Sequence, residues 1–156
     1  MKIIAHRGLL EGPNKEKENK LDSIKKALEL GFYVELDVRY EDDKFYLGHD
    51  YNQQEIEEIY LENPFFFVHC KNIDALRQLN SNTYVRSFWH QQDDYTLTTS
   101  KDIWTFPGKP VVENAFCVLP EAYEDGLEKT VLKYKDIAQG FCSDYPIKVK
   151  EILRYG

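Results

Sequence analysis

Imidazole side chains recur at the ends of strand-like segments in this chain. All four histidines, His6, His49, His69 and His90, lie at or near the end of a short, largely apolar run. Imidazole titrates near neutral pH and can therefore serve as a general acid or a general base. Because random placement would put some histidines on helices or in long loops, their shared position indicates one common site.

Two carboxylates lie on the second strand-like segment, residues 33–39. Glu35 and Asp37 are two residues apart and therefore share one face of a strand. They are hard oxygen ligands of the kind that Mg²⁺ or Ca²⁺ prefers. The alternative is the solvated face of an edge strand, although two carboxylates on one face repel each other. The pair predicts a divalent metal site, with Mg²⁺ or Ca²⁺ as the favoured ion.

Two cationic side chains accompany the histidines. Arg7 directly follows His6, and Lys71 lies two residues after the histidine of the segment 65–70. A pentavalent phosphorus centre spreads negative charge over its oxygens, so it suits Arg7 as a bidentate clamp and Lys71 as a point charge. With His6 and His49 as the acid and base, these residues favour cleavage of a small phosphodiester.

Apolar runs of strand length alternate with helix-like stretches along the chain. We predict strands over residues 2–5, 33–39, 44–47, 65–70, 83–88, 102–106, 111–119 and 139–143. A first helix has Asn19 as its N-cap and Gly31 as its stop, and Asn52 with Glu55 resembles a capping box for a helix through Tyr60. Further helices are predicted over residues 73–79, 126–135 and 146–153.

This alternation predicts an α/β fold of parallel βα units, a single domain over residues 1–156. We expect a shortened (β/α)8 TIM-type barrel, since such barrels usually take at least about 200 residues. Residues 83–119 leave little room for helices, so its helical outer shell should be incomplete. Apolar surface left bare there could be covered by a second subunit in a homodimer. The carboxyl ends of parallel barrel strands share one face, which would gather the polar residues described above.

Composition excludes several other classes of protein. Hydrophobic residues make up 42% of the chain, which argues against disorder, and the net charge of −7 argues against a nucleic-acid partner. The cysteines, Cys70, Cys117 and Cys142, have no metal-knuckle spacing and indicate reduced, buried thiols. No apolar run approaches the roughly 18 residues of a membrane helix. The apolar run that follows Met1, residues 2–5, is too short for the core of a signal peptide. We therefore expect a cytoplasmic protein.

Several of these segments resemble motifs of the glycerophosphodiester phosphodiesterase family. The resemblance is close over roughly the first third of the chain and at its C-terminus, and weak between them. Together the motifs are specific, whereas His-Arg-Gly alone would not be. They are His6-Arg7-Gly8, Glu18-Asn19, Gly31, Glu35-Leu36-Asp37-Val38, Gly48-His49-Asp50 and the segment Gly140-Phe141-Cys142-Ser143-Asp144-Tyr145-Pro146.

The resemblance implies a fold and an activity. The fold is a (β/α)8 barrel, and the activity is metal-dependent hydrolysis of glycerophosphodiesters to glycerol phosphate and an alcohol. It also implies His6 and His49 as the acid–base pair, Glu35 and Asp37 as metal ligands, and Arg7 at the phosphate.

The chain departs from the family pattern at its third metal ligand. The family has Glu-x-Lys on the third strand, where this chain has His69-Cys70-Lys71. His69 is either a metal ligand, which would make a softer site, or a buried, hydrogen-bonded histidine. Glu113 or Glu121 could otherwise supply the third ligand. Residues 87–110 also do not follow the family pattern.

Two other functions stay open at this point. The first is a lyase, in which a hydroxyl of the substrate attacks and a cyclic phosphate is released. The second is a catalytically silent module that binds phosphate.

Overall fold

The computed structural model describes residues 1–156 and contains ten β-strands and four α-helices. The strands are β1 (Lys2–His6), β2 (Tyr33–Glu41), β3 (Lys44–Leu47), β4 (Gln54–Ile56), β5 (Phe66–Cys70), β6 (Ser87–Phe88), β7 (Tyr95–Leu97), β8 (Ile103–Thr105), β9 (Ala115–Val118) and β10 (Gly140–Ser143). The α-helices are α1 (Leu21–Glu29), α2 (Ile73–Leu79), α3 (Gly126–Tyr134) and α4 (Pro146–Tyr155). Short 3₁₀ helices cover Glu58–Glu62 and Pro120–Ala122.

All ten strands form one mixed sheet. Its main path runs β4-β3-β2-β1-β10-β9-β8-β7, and β5 joins β2 to β6. The central pairs are parallel, whereas β2 with β3, β3 with β4 and β7 with β8 are antiparallel. The prediction of a (β/α)8 barrel with a helical shell is therefore wrong. The molecule is a curled, half-barrel sheet with four helices.

The barrel prediction fails for a physical reason in two segments. Between β6 and β9 no α-helix forms, because β7 and β8 pair with each other as a hairpin that occupies this connection. Between β2 and β5 the chain extends the β2–β3 hairpin with β4 in place of an α-helix. Helical crossovers remain only between β1 and β2, β5 and β6, and β9 and β10.

The inner side of the curled sheet is filled by aromatic side chains from distant strands. Phe67 of β5, Phe88 of β6, Trp104 of β8 and Phe116 of β9 belong to one buried cluster. The Phe88 and Trp104 ring centroids are 4.7 Å apart. Strands β6 and β8, which are not neighbours in the sheet, therefore meet at this cluster. This packing stabilises the curled sheet, because aromatic pairs at such distances attract beyond simple area burial.

A separate and larger cluster lies on the outer side of the sheet. There α1 and α2 bury Ile24, Ala27, Ala75 and Leu79 with side chains of β2 and β5. This packing holds both helices against the strands that carry the polar residues.

Two helix predictions need correction. The predicted helix from Asn52 to Tyr60 is instead β4 followed by a 3₁₀ turn, because Ile56 pairs with Phe45 across the hairpin. Asn19 is also no N-cap: Lys20 occupies that position without a side-chain cap, and Asn19 is fully buried. The stop near Gly31 is confirmed, since α1 ends at Glu29 and Gly31 adopts φ +81°.

Two strands are shorter than predicted, and one further strand was not predicted. The predicted strand 83–88 reduces to β6, and the predicted strand 111–119 reduces to β9. Strand β7 was not predicted at all.

The three cysteines are free and buried, as predicted. No helix in the structure combines the length and the apolar character that a membrane crossing requires.

Candidate active site

A cavity of about 280 Å³ opens where the parallel strands end. Six of the predicted site residues line it: His6, Arg7, Glu35, His49, His69 and Lys71. The seventh, Asp37, lies beside this group at 1% side-chain exposure and contacts both Arg7 and His69. The opposite wall is formed by His90, Gln91, Trp104, Phe106, Pro107, Val118 and Leu119.

Strand register brings the carboxylates and the imidazoles together. His6 of β1 is aligned with Glu35 of β2, and Asp37 of β2 is aligned with His69 of β5. Glu35 and Asp37 are 2% and 1% exposed, which excludes the solvated face of an edge strand. His69 Nδ1 lies 3.3 Å from Asp37 Oδ1 and 3.6 Å from Glu35 Oε1. One ligand atom from each of the three residues lies within 4.8 Å of the others.

The tautomer of His69 bears on whether this group fits a metal ion. His69 Nε2 lies 3.0 Å from the carbonyl oxygen of His90, which can only accept, so Nε2 carries a hydrogen. In the neutral ring the lone pair of Nδ1 then faces the two carboxylates. Asp37 Oδ1 is buried and accepts no hydrogen bond of good geometry, and His69 Nδ1 lies 3.3 Å from it. Two carboxylate oxygens and a lone pair converging on one point fit a divalent cation.

A proton can occupy the same place. Burial lowers the pKa of His69, but its interactions with Asp37 and then Glu35 outweigh burial and raise the pKa to about 9. His69 is therefore an imidazolium at neutral pH when no metal is present. Its ring is also stacked on Phe88, with centroids 4.7 Å apart and an interplanar angle of 11°.

The other oxygen of Asp37 is held by two residues with unusual backbones. Asp37 Oδ2 lies 3.0 Å from Arg7 Nε and accepts from Asn19 Nδ2 at 2.9 Å. Burial raises the pKa of Asp37, but His69 and Arg7 together outweigh it and hold the pKa well below its usual range. Arg7 and Asn19 have φ of +53° and +56°, a region that costs energy for residues other than glycine.

Arg7 is fixed at the cavity wall by carboxylates. Its Nη1 donates to Glu18 Oε2 at 3.0 Å, and its backbone N–H donates to Glu35 Oε2 at 3.1 Å. The Glu18-Asn19 motif thus acts through its neighbours: Glu18 orients the guanidinium, and Asn19 orients Asp37. Neither role was predicted from the residues, although the family motif marked both positions.

His6 forms a pair with a carboxylate from the far end of the chain. Its Nδ1 lies 2.7 Å from Asp144 Oδ1, and its Nε2 lies 3.8 Å from Glu35 Oε2. Burial lowers the pKa of His6, but the hydrogen bond to Asp144 and the charge of Glu35 outweigh it, so the pKa is raised. Asp144 is held in turn by Glu121, whose Oε1 accepts from the Asp144 backbone N–H at 2.7 Å.

His49 has its own carboxylate partner on the loop after β3. Its Nδ1 lies 2.7 Å from Asp50 Oδ1, and its carbonyl accepts from Arg39 Nη1 at 3.2 Å. The loop turns at Gly48, which has φ +144°. A Cβ on Gly48 would lie 2.1 Å from the carbonyl oxygen of Tyr51, so only glycine allows this turn.

The alternatives for a third metal ligand lie elsewhere. Glu113 is exposed and precedes β9, so it belongs to the opposite end of the sheet. Glu121 is engaged by Ser143 and the backbone of Asp144. Of the three candidates, only His69 lies beside the carboxylate pair.

Sequence reasoning placed Asp144 after the last strand, among the polar residues at the strand ends, but did not predict its pairing with His6. The available signal was its position directly after the last strand, where the other polar residues also lie. No protein-family model, curated protein or solved structure matches this chain. The functional assignment therefore depends on the side chains around the cavity and on the motifs in the sequence.

Proposed function

We propose that this protein is a metal-dependent phosphodiesterase. It would hydrolyse a small diester of the glycerophosphodiester type to a phosphomonoester and an alcohol. One observation supports the proposal most directly. His6 and His49, each paired through Nδ1 with its own carboxylate, line one cavity. The same cavity holds two cationic side chains and a group of residues that could hold a metal ion.

The two histidines supply the proton transfers. An Nδ1–H that donates to a carboxylate leaves Nε2 free to exchange a proton with the substrate. The interaction with Asp144 favours the protonated ring of His6, which suits the acid that protonates the leaving alcohol. His49 then takes the proton of the attacking water.

Arg7 and Lys71 bind the phosphate. Both line the cavity, and Arg7 is already held in one orientation by Glu18 and Asp37. A fixed guanidinium costs little reorganisation when negative charge grows on the phosphoryl oxygens. Lys71 lies just beyond β5 on the same side and adds a second positive charge.

Glu35, Asp37 and His69 would hold a divalent cation. When bound, the ion neutralises charge on the phosphoryl oxygens. Mg²⁺ and Ca²⁺ remain the predicted ions, and the imidazole nitrogen makes the site softer than one of oxygens alone. Mn²⁺ therefore belongs in any activity screen.

The test is a screen of metals against phosphodiesters, with products identified by mass. We expect turnover of at least one diester with Mg²⁺, Ca²⁺ or Mn²⁺, and a loss of at least about 100-fold in His6→Ala and in His49→Ala. Circular dichroism should show that both variants stay folded. Unchanged turnover in either variant would contradict the mechanism. A cyclic phosphate product would indicate the lyase, and binding without turnover would indicate the silent module.

We also infer a cytoplasmic location and keep the homodimer as a prediction. Three unpaired cysteines suit a reducing compartment. Fractionation of the source cells and light scattering of the purified protein test these two points separately.

A further inference from the structure

The cavity has two unlike walls. The ends of β1, β2 and β5 carry the charged side chains, whereas the segments at the ends of β8 and β9 carry Trp104, Phe106, Pro107, Val118 and Leu119. This second wall carries two polar side chains, His90 and Gln91, beside five apolar ones. A ligand that places an anion on the first wall must place most of its remaining atoms against carbon.

The apolar wall is built on rigid packing. Trp104 is 3% exposed, and its ring centroid lies 4.7 Å from that of Phe88 and 5.2 Å from that of Phe116. Val118 is also buried, in the same cluster. Such a surface keeps its shape when a ligand leaves, so its apolar character is a lasting property of the cavity.

Leu119 is held on this wall at a cost. Its backbone is left-handed, with φ 48° and ψ 61°, and it is followed by Pro120. Its N–H donates to the Cys142 carbonyl at 2.7 Å, and its own carbonyl accepts from Ala122 at 2.8 Å. Glycine or asparagine would adopt this conformation more easily. A leucine here spends conformational energy to place an apolar side chain against the ligand space.

We propose that the diester cleaved here carries a small apolar alcohol, such as a short alkyl or benzyl group. This proposal rests on the proposed phosphodiesterase activity and names its substrate class. A polyol on this wall would lose several hydrogen bonds to water, and His90 and Gln91 are the only polar side chains there to replace them. The cavity volume lies near the lower end of the range of about 300–1,000 Å³ for ligand sites, which limits the group to a small one.

The test compares two esters of glycerol phosphate, one with benzyl alcohol and one with a second glycerol. We measure turnover by the wild type and, separately, the dissociation constants of both esters for His6→Ala, in which turnover is blocked. The benzyl ester should be preferred by about tenfold or more in both measurements, as is typical when an apolar group enters a matching pocket.

A variant locates the preference. Leu119→Asn keeps a residue that tolerates the left-handed backbone but removes the apolar side chain. The ratio of benzyl to glycerol ester should fall about tenfold in this variant. Leu30→Asn makes the same exchange on an exposed leucine after α1 and should leave the ratio unchanged.

The outcomes separate the two proposals. Equal affinity of both esters for His6→Ala, or an unchanged ratio in Leu119→Asn, overturns the substrate class even if the wild type hydrolyses diesters. Preferential binding of the benzyl ester without wild-type turnover supports the ligand class and overturns the proposed hydrolysis.

Discussion

Each end of the curled sheet holds an aspartate largely out of solvent, and the two aspartates have different hydrogen-bond partners. Asp102 precedes β8 at the amino ends of the parallel strands, with its side chain 12% exposed, and Asp37 lies towards their carboxyl ends at 1%. Asp102 accepts from Ser100 Oγ at 2.6 Å and from Gln139 Nε2 at 2.8 Å, and Lys2 Nζ lies 3.8 Å away. Both of its oxygens are satisfied. Asp37 Oδ1 accepts no hydrogen bond of good geometry and has only the His69 ring nitrogen beside it, at 3.3 Å.

This difference separates a structural network from a site. A buried carboxylate whose oxygens are all paired contributes to stability and has no free acceptor atom for a ligand. A buried carboxylate with a free oxygen beside an imidazole is costly until a cation or proton arrives. Backbone strain alone does not separate the ends, because Lys101 beside Asp102 is left-handed just as Arg7 is. What distinguishes the carboxyl end is Asp37 Oδ1, which accepts no hydrogen bond of good geometry.

The largest contrast should come from the same substitution at the two ends. Asp144→Asn removes the charge that holds His6 Nδ1, so kcat/KM for the diester should fall about 10²–10⁴-fold. Asp102→Asn should leave kcat/KM unchanged and lower the free energy of unfolding by about 1–2 kcal/mol. Steady-state kinetics and urea unfolding of both variants measure this. Equal losses of activity in the two would remove the distinction between the ends.

Two glycine substitutions compare a loop of the site with a helix end. In Gly48→Ala the new Cβ meets the Tyr51 carbonyl, so the loop carrying His49 must shift and activity should fall by about 100-fold. In Gly31→Ala nothing lies within 4 Å of the new Cβ. That variant should lose only about 1–2 kcal/mol of stability, from its left-handed φ of +81°, and no activity. A fully active Gly48→Ala would show that the position of His49 is unimportant.

Metal binding at the carboxyl end should depend on pH. An ion at Asp37 and Glu35 must displace the proton from His69 Nδ1, whose pKa is about 9 without metal. The apparent affinity should therefore rise about tenfold per pH unit between roughly pH 6.5 and 8.5. Calorimetry in buffers of different ionisation enthalpy should detect about one proton released per ion. An affinity independent of pH would indicate that His69 is no ligand.

The metal-free protein should lose stability as pH rises, through His69 at the carboxyl end, and as pH falls, through Asp102 at the amino end and Asp37 at the carboxyl end. The raised pKa of His69 stabilises the fold fully below about pH 6.5, and this contribution is lost as pH rises towards 9. Burial raises the pKa of Asp102, but its hydrogen bonds, first that from Ser100, outweigh burial and lower it. Its contribution is present above about pH 4 and is lost as pH falls further.

Unfolding curves measured from acid to alkaline pH test both losses of stability. The alkaline loss should shrink in His69→Gln to the part that comes from the raised pKa of His6, and the acid loss should shrink in Asp102→Asn. Identical pH profiles in wild type and variants would contradict both assignments.

Local patterns in the sequence were sufficient to predict which side chains lie together at the cavity. Residues two apart share a strand face, and carboxyl ends of parallel strands meet, so the seven predicted residues lie around or beside one cavity. The pairing of His6 with Asp144 spans 138 positions in sequence and depends on β1 lying next to β10, which no local pattern encodes.

The overall fold was less predictable for the same reason. Alternating apolar runs indicate strands but not the direction in which neighbours pair, so the β7–β8 hairpin was missed. Asn52 and Glu55 have helix-start spacing, yet pairing of β4 with β3 overrides that local preference. Asn19 suits a helix cap equally well, but burial beside Asp37 gives its amide two hydrogen bonds instead.

One diffraction measurement decides whether Asp37 Oδ1 marks a cation site. Crystals grown at about pH 8 and soaked in Mn²⁺ would be measured for anomalous scattering, with Asp37→Asn crystals as the control. We expect one peak about 2.2 Å from Asp37 Oδ1, a Glu35 oxygen and His69 Nδ1, and no peak in the variant. The proposed metal site would be contradicted if wild-type crystals show well-defined density for Glu35, Asp37 and His69 but no anomalous peak. A peak that persists in Asp37→Asn would also contradict it.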